Sequence, residues 1–143
     1  MVEIRDEPIS FDLRGVSGAV LGRNYAQTGF KLMESLWPVI KQNGIKTTGI
    51  NYWVYAGCDR MSTCVELADK SVESSFEHIP VHFGRYAYYK HIGPYDRLSE
   101  AYAALDKGIA GKGLTRSGGS VEKYGDWTDD ASQLVTEIFI GLN

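Results

Sequence analysis

Residues 86–98 read YAYYKHIGPYDRL, a strand that runs through a Gly-Pro corner into a helix. Side chains alternate over residues 86–91, and aromatic residues dominate, which is typical of an extended chain with period two. Gly93 and Pro94 end this strand, and Pro94 suits the first turn of a helix, where its missing N–H breaks no intrahelical bond. Apolar residues then recur at helical spacing from Leu98 to Ile109, so the sequence predicts a helix that the glycine-rich residues 107–113 end.

Length and charge limit the classes of protein to which the chain can belong. Its 143 residues suffice for one domain with a hydrophobic core, or for two small halves that share one. The net charge of −3, with both signs mixed along the chain, gives no reason to expect direct binding of nucleic acid. No window approaches the roughly 18 consecutive apolar residues of a membrane helix, and the amino terminus lacks a signal-peptide pattern. We therefore expect a cytoplasmic protein with no membrane partner.

The first half of the chain contains a similar order of elements. Alternation and β-favouring residues predict strands at residues 9–16, 46–55 and 62–69, and helical spacing predicts a helix near residues 30–40. Pro38 interrupts the helical pattern, so we expect the helix to kink or to end early near Leu36. Residues 70–77 are interpreted as a polar connector that ends at Pro80.

An internal repeat links the two halves. Residues 44–49, GIKTTG, recur 69 residues later as GLTRSG at 113–118, and at the same offset Tyr55 corresponds to Tyr124. The sequence therefore predicts a single α+β domain of two pseudo-symmetric β-α-β-β units, about 1–76 and about 80–143. We expect joined antiparallel sheets, two helices and a central cleft.

Several stretches carry a resemblance to a known family. The segments AYYKHIGPY at 87–95, LSEAYAAL at 98–105, VEKY at 121–124 and TEIFI at 136–140 resemble the gyrase-inhibitor-like (GyrI-like) small-molecule-binding family. That family also forms the effector-binding domains of AraC-type and MerR-type transcription regulators and is related in fold to the SOUL haem-binding proteins. The resemblance implies an apolar cleft used in multidrug recognition. Gly141 stands where the family usually has proline, and we expect a free-standing member without a helix-turn-helix domain.

Glu137 is the most informative acid in the sequence. It lies inside the otherwise apolar stretch 134–140, where an inward-facing charge would be costly unless paired, hydrogen-bonded, protonated or met by a cationic ligand. The resemblance implies the cleft glutamate that meets cations or acts in acid/base chemistry. The alternative is a glutamate that faces solvent on an edge strand.

Seventeen aromatic residues are available to line a site for flat or cationic molecules. Core packing explains any one of them better than a pocket does, but their concentration at matching places in both halves favours a pocket. The candidate ligand-binding residues are Trp37, Trp53, Tyr55, Tyr88, Tyr102, Tyr124 and Trp127, together with Glu137.

Other chemistry has little support in the sequence. His78, His82 and His91 form no local ligand cluster, and the spacing of Cys58 and Cys64 lacks a second ligand pair, so we expect no metal. We also expect no cofactor, and we interpret His91 as a surface residue of its strand.

Three functions remain open at this point. The first is a pocket for small hydrophobic, possibly cationic, molecules, with Glu137 as the complementary charge. The second, which the family resemblance implies, is a hydrolase of cyclopropane-bearing electrophiles, in which Glu137 activates water and Tyr88 or Tyr124 donates a proton. The third is a gyrase-inhibitor-like module whose protein partner is unknown.

Overall fold

The computed structural model describes residues 1–57, 59–68, 76–125 and 128–143. Eight strands and two helices confirm the predicted α+β class, and short 3-10 turns occupy Tyr95–Arg97 and Ala131–Gln133 within these ranges. None of the described helices is long and apolar enough to cross a membrane. The elements are β1 (Glu3–Arg5), β2 (Ile9–Ala19), α1 (Tyr25–Gln42), β3 (Thr47–Ala56), β4 (Arg60–Leu67), β5 (Glu77–Phe83), β6 (Tyr86–Ile92), α2 (Leu98–Gly111), β7 (Arg116–Tyr124) and β8 (Val135–Leu142).

The chain divides into two compact units, residues 11–81 (the amino-terminal unit) and residues 1–10 with 82–143 (the carboxy-terminal unit). In the carboxy-terminal unit, antiparallel pairing gives the strand order β1-β6-β8-β7. Helix α2 buries its apolar stripe against one face of these strands. The core of this unit comprises Ala87, Ala101, Leu105, Ile109, Ile138, Ile140 and Leu142.

The amino-terminal unit has the same plan. Strand β4 lies between β2 and β3 and pairs antiparallel with both. Leu36 and Ile40 of α1 pack against Val65 and Leu67 of β4. Each unit therefore contains a helix that buries one stripe on an antiparallel sheet, as the repeat predicts.

Glycines set the same backbone turns in both units. Gly44 and Gly113 follow the helices with φ of 60° and 68°, the left-handed conformation that commonly ends a helix. Gly49 and Gly118 then adopt φ of 83° and 108° where the β3 and β7 ladders shift in register. The two hexapeptides that revealed the repeat are thus a helix end and a β-bulge, and the repeat is confirmed.

Helix α1 does not end near Leu36, so that part of the Pro38 prediction is wrong. The helix continues to Gln42 with Pro38 inside it. An interior proline costs roughly 3 kcal/mol, but Leu36 and Ile40 on either side of it are buried in the same core. Full burial of one such side chain contributes about 1.5–3 kcal/mol, so packing on both sides of the proline outweighs the lost hydrogen bond.

The sequence pattern did not predict two of the strands, β1 and β5. β1 has three residues and pairs with β6, and it is too short to show a period. β5 occupies Glu77–Phe83, which corrects the end of the predicted connector; residues 70–75 of that connector, and residue 69 at the end of the predicted strand 62–69, lie outside the described part of the chain. Pro80 lies within β5, and for this reason the sequence did not predict a strand there. Proline is nevertheless tolerated in a strand at a position that needs no N–H donor.

Gly141 lies within β8, opposite Tyr86 of β6. A Cβ added at Gly141 would stand 2.6 Å from a ring carbon of Phe83 and 2.5 Å from the Ser117 hydroxyl oxygen. The strand runs on through Gly141 to Leu142, and the space that a side chain at position 141 would need is already filled.

Candidate functional site

The register of the carboxy-terminal unit separates its two glutamates. Residues directly opposite each other in antiparallel strands project to the same face. Glu122 lies opposite Ile138, which packs in the α2 core, whereas Glu137 lies opposite Lys90 and Lys123. Glu122 is thus on the face covered by α2, here called the helix side, and Glu137 is on the other face, the far side.

A buried carboxylate occupies the helix side. Glu122 is only 4% exposed. The hydroxyl of Tyr102 donates to its Oε2 at 2.5 Å, and the hydroxyl of Tyr124 donates to its Oε1 at 2.6 Å. A buried charge is costly without such donors, and hydrogen bonds to an ionised acceptor are short and strong. Glu122, Tyr102 and Tyr124 form what we call the Glu122 cluster.

Local structure brings this cluster together. Glu122 and Tyr124 are two positions apart on β7 and so share a face, and α2 supplies Tyr102 from 20 positions earlier in the chain. The turn after Pro94 then places Tyr95 edge-on to Tyr124, with ring centroids 5.4 Å apart. Tyr95 is 39% exposed, so it forms the solvent-facing edge of the cluster.

The far side carries a second carboxylate, that of Glu137. The Tyr88 hydroxyl donates to Glu137 Oε1 at 2.5 Å. Lys123 Nζ lies 3.9 Å from Glu137 Oε2, and Lys90 stands directly opposite Glu137 on the next strand. The Glu137 side chain is 29% exposed. Lys123 therefore lies at the limit of ion-pair distance from Glu137.

Tyr88 is held from several directions. Its ring lies 5.2 Å from that of Phe139, and the Arg5 guanidinium sits 4.1 Å from the Tyr88 ring centroid. Partial burial, and next the hydrogen bond to Glu137, raise the pKa of Tyr88 well above its ordinary value. The phenol therefore keeps its proton across the neutral range.

The predicted aromatic residues of the amino-terminal unit have partners within that unit. Trp53 is 7% exposed and packs edge-on against Phe30, with centroids 5.5 Å apart. Its ring fills the space over Gly29, where an added Cβ would come within 2.5 Å. Trp37 Nε1–H donates to Asn51 Oδ1 at 2.8 Å.

Tyr55 completes the predicted set in this unit, and its ring lies edge-on to that of Tyr25 at 5.5 Å. Trp127, the last predicted aromatic residue, lies outside the described residues.

The site residues predicted from the sequence thus fall into separate groups. Tyr88 and Glu137 meet on the far side, as the sequence analysis paired them. Tyr102 and Tyr124 meet on the helix side, around a glutamate that the sequence analysis did not select. One available signal was the repeat, because Glu122 corresponds to Trp53 at the 69-residue offset, so that a charge replaces a buried aromatic residue.

His91 corrects another expectation. It is buried, not on the surface, and its Nε2–H donates to the Pro94 carbonyl oxygen at 3.0 Å. The ring thereby braces the corner between β6 and the following turn.

Within the described ranges, no group of three His, Cys, Asp or Glu side chains could hold a metal ion. Cys64 is a buried free thiol, whereas Cys58 lies outside the described residues.

Comparisons with known proteins identify the family and the fold of the chain. The family model described as "GyrI-like small molecule binding domain" matches residues 31–143. No curated protein matches the chain. The cryo-EM structure of an EcmrR–DNA complex has a TM-score of 0.76 and 17% identity, and the match covers 100% of this chain but 57% of that one.

Two further solved structures share the fold. SAV2435 bound to tetraphenylphosphonium gives a TM-score of 0.74 at 13% identity, over 100% of this chain and 94% of that chain. A hydrolase from Listeria innocua gives 0.60 at 13% identity, over 99% and 91% of the two chains. At these identities the likeness establishes the fold alone.

Proposed function

The chain belongs to the family of GyrI-like small-molecule-binding domains, and on that premise we propose that its carboxy-terminal unit binds a hydrophobic organic cation at the Glu122 cluster. The observation that carries this proposal is the Glu122 carboxylate, 4% exposed and held by two tyrosine hydroxyls. A fixed negative charge among aromatic rings is the chemistry that recognises such a ligand.

The cluster supplies both parts of that recognition. The two hydroxyl donors stabilise the negative charge and fix the orientation of the carboxylate. The rings of Tyr102, Tyr124 and Tyr95 add apolar area, and a cation over an aromatic face gains about 0.5–2 kcal/mol, most when water is excluded. Ligand entry passes Tyr95, because its ring is the exposed edge of the cluster.

We assign the recognition charge to Glu122 in preference to Glu137. Lys123 Nζ lies 3.9 Å from Glu137 Oε2, so a ligand cation there would compete with an ammonium group that is already present. SAV2435, which shares this fold, binds tetraphenylphosphonium, and this supports a cationic ligand for the present chain.

Two matched variants test the assignment. Glu122→Gln keeps the shape and one carbonyl acceptor but removes the charge, so we expect it to weaken tetraphenylphosphonium binding by about tenfold or more, because a desolvated charge partner is lost. Glu137→Gln removes a partly exposed charge that already lies 3.9 Å from the Lys123 ammonium, and it should change that affinity less than about twofold, as for exposed pairs. Isothermal titration calorimetry measures both.

Triphenylphosphine oxide is the neutral control ligand. Its affinity should be the same for both variants and for the unmodified protein, because it carries no net charge. A large loss of phosphonium binding in Glu137→Gln, with Glu122→Gln unaffected, would contradict the assignment and identify Glu137 as the residue that binds the cation.

The hydrolase remains a second candidate because of one observation, the 2.5 Å hydrogen bond between Tyr88 and Glu137. Glu137 would take a proton from water as the water oxygen bonds to one carbon of the cyclopropane ring, the ring C–C bond would break, and Tyr88 would give its proton to the carbon that leaves. Proton transfer from Glu137 to Tyr88 along their hydrogen bond would then restore both groups. Turnover of a cyclopropane-bearing electrophile that disappears in Tyr88→Phe and Glu137→Gln but persists in Glu122→Gln would support it. Absence of turnover in the unmodified protein would rule it out for that substrate.

A further inference from the structure

Thr136 is a fully buried polar residue on the helix side of the carboxy-terminal unit. Its exposure is 0%, and its hydroxyl oxygen has no hydrogen-bond partner among the residues that the structure describes. Leaving a buried hydroxyl without a partner costs free energy, and a valine would fill the same space without that cost. A threonine at position 136 therefore stabilises the fold less than a valine would.

The position of Thr136 relates it to the Glu122 cluster. It lies directly opposite Tyr124 on β7 and directly opposite His91 on β6, so all three project to the helix side. Glu122 is its diagonal neighbour, at a spacing of roughly 7–8 Å in such ladders. The Tyr124 hydroxyl is directed to Glu122 and the His91 Nε2–H to the Pro94 carbonyl, which accounts for neither group bonding Thr136.

We propose that the Thr136 hydroxyl binds a polar group of the ligand, so that the natural ligand carries a hydrogen-bonding group beside its positive charge. This inference rests on the proposed function of the Glu122 cluster. Charge recognition at Glu122 and a directional hydrogen bond at Thr136 give the ligand two points of attachment and so one orientation.

The chain contains its own control. Thr63 is 1% exposed, and its hydroxyl likewise has no partner among the described residues. It lies opposite Trp53 in the amino-terminal unit, where Trp53 occupies the repeat position of Glu122. Thr63→Val and Thr136→Val therefore remove the same group from equivalent burial, but only Thr136 adjoins the carboxylate.

The experiment compares tetraphenylphosphonium with its three monohydroxylated isomers, which place one hydroxyl at the ortho, meta or para position of one ring. The unmodified protein should bind at least one isomer about five- to tenfold tighter than the parent cation, the gain expected for one neutral hydrogen bond. Thr136→Val should abolish this preference, so that it binds the isomers no tighter than the parent cation. Thr63→Val should retain it, and both variants should melt at a higher temperature than the unmodified protein.

Each possible outcome either supports or overturns the proposed role of Thr136. Equal affinity of the unmodified protein for the parent cation and all three isomers overturns the role of Thr136 and leaves the proposed function standing. A preference that survives in Thr136→Val, or disappears in Thr63→Val, also overturns it. Failure of every phosphonium to bind removes the proposed function, and the inference about Thr136 falls with it.

Discussion

Cys64 and Tyr88 hold their protons more tightly in the folded protein than in the unfolded chain. Burial is the main cause for both, and it raises the pKa of the Cys64 thiol from 9.0 to about 12. Between those values the folded state binds more protons than the unfolded state, so its stability is fully present below about pH 9 and falls as the pH rises. One such proton contributes a slope of about 1.4 kcal/mol per pH unit.

Urea unfolding from pH 7.5 to 10.5 measures this slope. Cys64→Ala should lower the free energy of unfolding at pH 7.5, because it leaves a cavity, yet it should flatten the decline above pH 9. Tyr88→Phe should flatten only the part above about pH 10, the ordinary range of a phenol. An unchanged slope in Cys64→Ala would show that the thiol does not titrate in this window.

Residue by residue, the sequence predicted the far-side pair better than the buried cluster. Tyr88 and Glu137 could be paired because both belong to recognisable strand segments. Glu122 stands between Val121 and Lys123, in a pattern that is common on surface strands. Its burial depends on Tyr102, which α2 brings from 20 positions away, and no local pattern encodes that contact.

At the scale of elements, helix α1 shows how tertiary packing overrides a helix breaker. Because α1 already continues through Pro38, Pro38→Ala should restore one donor without changing the fold. Proline in a helix interior is about 3 kcal/mol less favourable than alanine, and Pro38 is exposed, so the variant should gain roughly 1–3 kcal/mol.

The measurement is equilibrium unfolding in urea, with an unchanged m-value as the sign that the same surface is buried. Gly111→Ala provides a matched comparison, since it lies at the exposed end of α2 with nothing within 4 Å of an added Cβ. It should gain about 1 kcal/mol or less. A loss of stability in Pro38→Ala would mean that the local geometry of α1 is built around the proline.

The sequence predicted the turns that contain positive-φ glycines, but it did not predict β1, which is too short to show a period-two pattern. The hexapeptides at 44–49 and 113–118 carry the positive-φ glycines that both units need. β1, with three residues, presents too few side chains to alternate, and its place beside β6 follows from pairing far along the sequence.

For the whole molecule, the repeat predicts two equivalent units, but the buried charge breaks their equivalence. Trp53, packed on Gly29 and Phe30, occupies in the amino-terminal unit the repeat position that Glu122 holds in the other. We therefore expect one phosphonium per chain. Calorimetric titration gives this number directly, and two equal sites per chain would contradict the assignment to Glu122.

Gly141 limits which substitutions the chain can accept at this position. Phe83 and Ser117 occupy the volume above its Cα, so a side chain at position 141 cannot be accommodated unless Phe83 and Ser117 both shift or become smaller. A larger residue at position 141 therefore requires compensating changes at positions 83 and 117, although 58 and 24 positions separate them from it in the sequence.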